Sequence, residues 1–482
     1  MNVLGLEAST SSAKALVYST GSGVLCSRSM PYGKSTGDVV SLDPEGMYEP
    51  VVECARLAIQ AAGVPIDAIG LCGIWHSLLL LDRNRSPLGR IMTWADRLAA
   101  DCVNVHRQDQ QLRDWLYQRS GCYVHSMYPL WKWKCMRERM APGLEDARYI
   151  SSQPEYLFER MTGESAVSQN VASGTGLMNI HTLDWDDSIL EFAELRRESL
   201  SPIWASEHLG RLSEEAARRI GIPAGTPVVI AGADGALTQI GSGALKSGSM
   251  TISVGTSAAL RVAFQKPVLP ENPSTWCYYT AEGKWLAGAA TSGAGNCVEW
   301  LRQSMCRGVP DLESLNVLTD EVDVRNAPIF LPFLYGERCP GWHDNRRGGF
   351  FGLTLSHSLG DLYYAILEGV LFNLYQCYLK LLSVGCEPER IYVSGGIIRS
   401  PKWLQMLADI FQREILVSSI SDASTMGAIA LAAKAMGEIS SLEQFPAEVD
   451  RTVTPDSGKA SLYQERFGEY MEWYEKMSVL GA

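Results

Sequence analysis

The sequence has no run of roughly twenty apolar residues, so no segment reads as a membrane span. Its start lacks the basic and apolar regions of a secretory signal, because a strand pattern begins almost at once. Clustered cations are missing too: 42 Lys and Arg against 54 Asp and Glu give a formal net charge of -12. That balance, without a basic stripe, argues against a nucleic-acid partner but leaves room for a small anion held by local Lys or Arg. The twelve cysteines are scattered and form no CxxC pair. Such a spread speaks against zinc and a disulfide framework, and favours the reduced thiols of a cytoplasmic protein.

Familiar nucleotide motifs are also lacking. Gly33-Lys34-Ser35 is the sole Gly-Lys-Ser, and Arg28 stands where a P-loop needs its first glycine. There is no GxGxxG fingerprint and no protein-kinase catalytic loop.

A chain of 482 residues exceeds one ordinary core, and 46% hydrophobic with 20% charged residues is a globular composition. Apolar runs alternate with helical periods, which predicts an α/β class with mixed sheets. Pro44–Ala62 reads as an amphipathic helix, 68–74 as a buried strand, 78–84 as strand and turn, and 93–107 as a helix. Residues 110–225 are more helical and read as a lobe on the first domain. A buried strand at 226–235 ends on Asp234 and leads into a Gly-rich helix at 236–243. The later half repeats the theme with a helix at 359–382, a strand at 390–394, Gly395-Gly396, and a helix at 401–413. Within that last helix, Trp403, Leu404, Leu407, Ile410 and Phe411 recur at core spacing. The expected division is an N-terminal domain 1–245 and a C-terminal domain 246–482.

One pattern occurs twice. Residues 3–18 and 250–262 each read as strand, hydroxyl-rich turn, strand, with Glu7, Ser9, Thr10 and Ser11 in the first turn and Gly255, Thr256 and Ser257 in the second. Turns of Gly, Ser and Thr gather backbone N–H groups and hydroxyls into a concavity that suits a phosphate, though most such turns only reverse the chain. Asp234, at a strand end, suits a general base in a ligand crevice, and equally an N-cap for the helix that follows. Glu7 reads as a Mg²⁺ ligand acting through water, or as an ordinary strand-end acid. Gly395 and Gly396 allow close approach of a nucleotide, or simply a turn. His76, Ser77, Trp94, Asp96, Arg97, His125 and Lys132 can line a polyol pocket. Arg97, Lys132 and Arg338 are alternative partners for a substrate carboxylate.

With these residues in hand, the chain resembles the FGGY family of carbohydrate kinases over nearly its whole length, and within it the gluconate kinases most. Trp75-His76-Ser77 followed by Thr93-Trp94-Ala95-Asp96-Arg97 is similar to the pattern "MHS … TWAD.R". Residues 121–132, 172–177, 183–186, 333–341, 348–357 and 394–409 match further family segments. The resemblance implies two ribonuclease-H-like (actin/hexokinase-type) domains around a central cleft, with sugar held mainly by the first and ATP by the second. It places Asp234 as catalytic base and metal ligand with Glu7, and His76, Ser77, Asp96, Arg97 and Asp234 at the substrate. It places Thr10, Ser11, Gly255, Thr256, Gly295, Gly395 and Gly396 at the nucleotide. The expected cofactors are ATP and Mg²⁺, and the expected substrate is a small sugar or sugar acid, with a homodimer as a possible assembly. Gluconate is the expected acceptor; a pentulose such as xylulose, another polyol, or a catalytically silent nucleotide-binding chain are the alternatives. The departures from the family pattern are Glu7 for Asp, Ser9 for Gly, Asp422 for Glu, and Tyr123 and Ser126 for prolines.

Overall fold

A computed structural model describes residues 1–33, 35–246, 248–305, 311–385, 387–420 and 422–480. The chain forms two compact units, each assembled from separate segments. The first comprises Met1–Lys246, Ala263–Leu286 and Asp422–Ala447; the second comprises Ser247–Val262, Ala287–Ser421 and Glu448–Ala482. The chain therefore passes between units more often than one division at 245/246 provides for.

In the first unit, β1 (Asn2–Ala8) turns into β2 (Ser12–Ser19) and β3 (Gly23–Pro31), an antiparallel meander. Helix α1 (Pro44–Ala62) follows, with Asp43 as N-cap and Gly63 as left-handed C-cap, and leads to β4 (Ala68–Gly73), parallel to β1. Residues 3–6 of β1 and the whole of β4 read as small and apolar runs because both faces are covered. Beyond β4 lie β5 (Leu209–Arg211), β6 (Pro227–Val229) and the short β7 (Gly232–Ala233). The sheet order is β5-β6-β4-β1-β2-β3, with β7 also paired to β4.

Five helices of this unit matter below: α2 (Ala100–His106), α3 (Pro129–Glu138), α4 (Gln153–Thr162), α5 (Asp234–Gly241) and, from late in the chain, α9 (Ala423–Ala435). Helix α9 packs on α5, β1 and β4. A Cβ on Gly427 would lie 2.0 Å from the Leu237 carbonyl oxygen, so only glycine permits that helix spacing.

The second unit repeats the plan. Its sheet includes β8 (Ser249–Val254), β9 (Ala258–Phe264), β10 (Trp285–Thr291), β11 (Arg390–Gly395), β12 (Ile415–Ser418) and β13 (Val449–Val453), ordered β10-β9-β8-β11-β12-β13. An antiparallel β8–β9 hairpin, parallel β8–β11 and β11–β12 pairs, and an antiparallel β12–β13 edge match the senses of β1–β2, β1–β4, β4–β6 and β6–β5. The hairpin repeat in the sequence is thus a repeat of whole sheets. Helices α6 (Gly295–Met305), α7 (Leu359–Ser383) and α8 (Pro401–Phe411) belong here.

Two expectations change. The helix expected over 93–107 begins only at Ala100. Before it, Thr93 Oγ1 donates to the Val39 and Val40 carbonyls and accepts from Ala95 N, while Asp96 Oδ1 accepts from Leu98 N. These side-chain bonds offer the backbone an alternative to the helix. Cysteine is the second case: Cys102 on α2 and Cys135 on α3 are joined in a disulfide, because the two helices face each other across 33 residues of sequence. Among the described residues, no helix is long and apolar enough to cross a membrane.

Candidate active site

In the first unit the polar candidates gather at the carboxyl ends of β1, β4 and β7. The register pairs Glu7 with Cys72 across β1–β4, and Cys72 with Gly232 across β4–β7. Glu7 and the residue after β7, Asp234, therefore flank β4 on opposite sides. Cys72, between them, has its thiol pKa pushed well up by burial and then by the carboxylates of Glu7 and Asp234.

Asp234 opens α5 without capping it, since Ala233 is the N-cap and makes no side-chain cap bond. Its Oδ1 accepts from Trp75 N at 3.3 Å and Gly235 N at 2.7 Å, which fixes the carboxylate just beyond β4. His76 holds a left-handed backbone conformation (φ 59°) and sets its Nδ1 2.7 Å from the Gly174 carbonyl oxygen. Its ring stacks on Trp75 and meets Tyr128 and Tyr278, while Trp276 stacks on Tyr278 with ring centroids 4.3 Å apart. An aromatic wall of this kind suits the C–H faces of a polyol. Sequence reading missed Tyr128, Trp276 and Tyr278, although the aromatic alternation at 276–278 was a signal.

Ser77 is only 1% exposed; its hydroxyl donates to Ile74 O and accepts from Gln153 N. Gln153 continues that scaffold, accepting from Ile74 N and donating to Ala8 O. Asp96 is half-buried and Arg97 exposed, on the loop before α2. Lys132 is fully buried, its ammonium donating to Ser126 O and Met127 O, and buried Arg338 in the second unit donates to Thr291 O.

The first hairpin turn is closed by its own hydroxyl. Ser9 Oγ accepts from Ser11 N at 3.3 Å and from Ser12 N at 3.0 Å, an ST-turn that uses amides a phosphate would otherwise meet. Thr10 is half-buried and Ser11 exposed at the tip. Glu7, 5% exposed, accepts on Oε2 from Ser424 Oγ (2.9 Å) and Thr425 Oγ1 (2.6 Å). Lys14 lies 3.7 Å from Glu7 and 3.1 Å from Asp422. Burial works against the Lys14 ammonium, but the two carboxylates outweigh it and hold its pKa above the usual lysine value.

The second hairpin, in the second unit, is open. Gly255 and Thr256 are exposed at its tip and line a cavity of about 590 Å³ with Gly295, Asn296, Gly396, Arg399 and Trp403 among its walls. Gly295 N donates to Gly255 O at 2.9 Å, and a Cβ on Gly295 would lie 2.5 Å from that oxygen. Gly395 adopts φ 90° at the end of β11, where a Cβ would lie 2.5 Å from Val254 O. Glycine at both places is what lets β11 and α6 close on the hairpin. Gly395 itself is not on the cavity wall. Trp403, expected as core, is 6% exposed and presents an edge to the cavity as well.

Models of the FGGY family of carbohydrate kinases match this chain twice, the N-terminal domain over residues 2–241 and the C-terminal domain over 250–436. The chain belongs to the FGGY family of carbohydrate kinases. It is 32% identical to a gluconokinase of Bacillus subtilis (strain 168), over 96% of this chain and 93% of that one. Two solved structures from Lactobacillus acidophilus, a gluconate kinase and a ligand-bound xylulose kinase, each superpose with a TM-score of 0.91 at 27% identity. Both alignments cover 99% of this chain and 98% of the other. The FGGY chain is thus a two-domain α/β carbohydrate kinase of the actin/hexokinase-like class, and its family takes the phosphoryl group from ATP.

Proposed function

We propose that this kinase transfers the terminal phosphoryl group of ATP to the 6-hydroxyl of gluconate, giving 6-phosphogluconate and ADP. The observation that carries the acceptor site is Asp234, fixed by two backbone amides beside His76 at the end of β4. Asp234 is the general base: its carboxylate takes the proton of the attacking hydroxyl as the oxygen–phosphorus bond forms and the bond to ADP breaks. His76 and the aromatic wall orient the polyol, and Ser77, tied to Ile74 and Gln153, holds the turn that follows β4 rather than touching substrate. Thr256 and Gly255 receive the phosphates, and Gly396, Arg399 and Trp403 bound the nucleoside end. Gly295 and Gly395 shape that cavity from behind.

The carboxylates suit a hydrated Mg²⁺. Glu7 on β1 and Asp234, just past β7, lie either side of β4, about 10 Å apart at the backbone, and would hold such an ion through its waters. When bound with ATP, the ion neutralises charge on the phosphates. Lys14, already beside Glu7, supplies fixed positive charge at the same strand end.

Arg97 is assigned to the gluconate carboxylate. Lys132 and Arg338 are buried, whereas Arg97 is exposed on the loop that follows Met92, itself bridged to Leu78 two residues after His76. A pentulose acceptor is the second reading, favoured by Tyr123 and Ser126 replacing prolines beside His125.

An ADP-release assay over gluconate, xylulose and other polyols tests the assignment. Gluconate should give the highest kcat/KM, and Asp234→Asn should lower its kcat about a thousand-fold with binding kept. Arg97→Leu should raise KM for gluconate by about ten-fold or more and leave a neutral polyol unaffected. A higher kcat/KM for xylulose overturns the gluconate assignment. Near-normal turnover by Asp234→Asn overturns the base.

A further inference from the structure

Away from the strand ends, α2 and α3 bring four metal-ligating side chains together. Cys102 and His106 are one helical turn apart on α2, and Cys135 and Glu138 are three residues apart on α3, so each helix offers two ligands on one face. Cys102 Sγ lies 3.3 Å from Glu138 Oε2, and His106 Nε2 lies 2.9 Å from Glu138 Oε1. The ligand atoms of Cys102, His106 and Glu138 all fall within 4.8 Å of one another. Cys135 is bonded to Cys102, with Cα atoms 5.9 Å apart.

We propose that the reduced form of this pair, with His106 and Glu138, is a tetrahedral Zn²⁺ site, and that the disulfide is its metal-free state. Bonds of about 2.3 Å to sulfur and 2.0 Å to nitrogen or oxygen place neighbouring ligand atoms roughly 3.3–3.8 Å apart. Cys102 and Glu138 already stand at that spacing, His106 needs to draw back only a few tenths of an ångström from Glu138, and the sulfurs reach it by rotating apart once unbonded. The His106 ring is held against Trp131, with ring centroids 5.2 Å apart, so Nε2 stays aimed at the cluster. Lys134 Nζ lies 3.4 Å from Glu138 and 3.6 Å from Glu194. The ammonium thus has a second carboxylate to turn to when a cation takes Glu138. The proposal is independent of the acceptor assigned above. Its position gives it a route to the polyol site, since Tyr128, the N-cap of α3, packs against His76.

The chemistry balances as follows. A phosphine delivers two electrons that break the S–S bond; water supplies the two thiol protons, and its oxygen leaves on the phosphine. Zn²⁺ then displaces both thiol protons to solvent and binds the two thiolates.

The test uses the full chain, oxidised or phosphine-reduced without oxygen, with Zn²⁺ and then Co²⁺ as probes. The reduced protein should retain one Zn²⁺ per chain after gel filtration and show a thiolate-to-cobalt charge-transfer band; the oxidised protein should do neither. Cys135→Ser should abolish both signals. Because that residue is buried and the variant can misfold, His106→Gln and Glu138→Gln, on half-buried and exposed side chains, carry the decision: each should weaken Zn²⁺ binding at least about ten-fold. Reduced protein that retains no Zn²⁺, or Zn²⁺ retention unchanged in both glutamine variants, overturns the proposal.

Discussion

Glu7 and Asp422 depart from the family pattern in opposite senses, one methylene longer at 7 and one shorter at 422, and Lys14 bridges them. The structure makes these two departures one. The Lys14 ammonium stands within ion-pair distance of both carboxylates, and Glu7 also accepts from Thr425. Read residue by residue, the sequence showed two unrelated changes, because 7 and 422 meet only when α9 packs on β1. Exchange of lengths tests the coupling. Glu7→Asp and Asp422→Glu should each destabilise the fold by about 1–2 kcal/mol, since each leaves buried polar groups poorly paired. The double variant should lose clearly less than the sum, with an interaction of at least about 0.5 kcal/mol in urea denaturation. Strict additivity would show that the carboxylates do not share the lysine. His76 and Asp234, by contrast, were legible as single residues, since each stands at the end of an apolar strand. The aromatic wall opposite His76 was not, because Trp276 and Tyr278 come from a segment far along the chain.

Elements with a cap and an unbroken period were plain in the sequence: α1 is found over the same Pro44–Ala62 that its pattern predicts. The helix expected at 93–107 was not, since Thr93 and Asp96 draw the backbone into turns that hydropathy does not register. Helix α4 shows how much a terminus can hold. Ser152 is its N-cap, and its hydroxyl also donates to Glu155 Oε2 at 2.7 Å, inside the unit and next to the Gln153 scaffold. Burial pushes the Glu155 carboxyl up from 4.5 to about 7, against hydrogen bonds from Ser152 and Ser201 that lower it. The sign follows directly. Below about pH 4.5 folded and unfolded chains are both protonated there; between 4.5 and 7 only the folded chain keeps the proton. Glu155 therefore subtracts stability as pH rises through that window, by about 3 kcal/mol in all, and no more above it. Glu155→Gln should remove this slope. The difference in stability between variant and wild type should be larger at pH 8 than at pH 5 by a substantial part of that amount. An equal difference at both pH values would mean Glu155 is ionised throughout.

At the scale of the whole molecule, the duplicated sheets were foreshadowed by the paired hairpins, but the assignment of segments to units was not. By position α9 belongs to the later half of the chain; by packing it completes the first unit. Nothing in its composition reveals this. It is apolar nearly all round, with Thr425, Met426, Ala428, Ile429, Leu431 and Ala432 buried, which says only that it lies inside something. The consequence is energetic. Burying Met426, Ile429 and Leu431 contributes about 1.5–3 kcal/mol each, so α9 supplies roughly 5–9 kcal/mol, comparable to the roughly 5–15 kcal/mol that holds a whole domain folded. A chain ending at residue 286 keeps all other segments of the first unit and lacks only 422–447. It should therefore show no cooperative unfolding transition, whereas the same chain joined through a flexible linker to residues 422–447 should regain one. The Glu7 carboxylate gives a second reason, because without α9 it loses Ser424 and Thr425 while remaining beside Lys14. Cooperative unfolding of the 1–286 chain at the stability of the linked form would show that α9 is a passenger on the first unit.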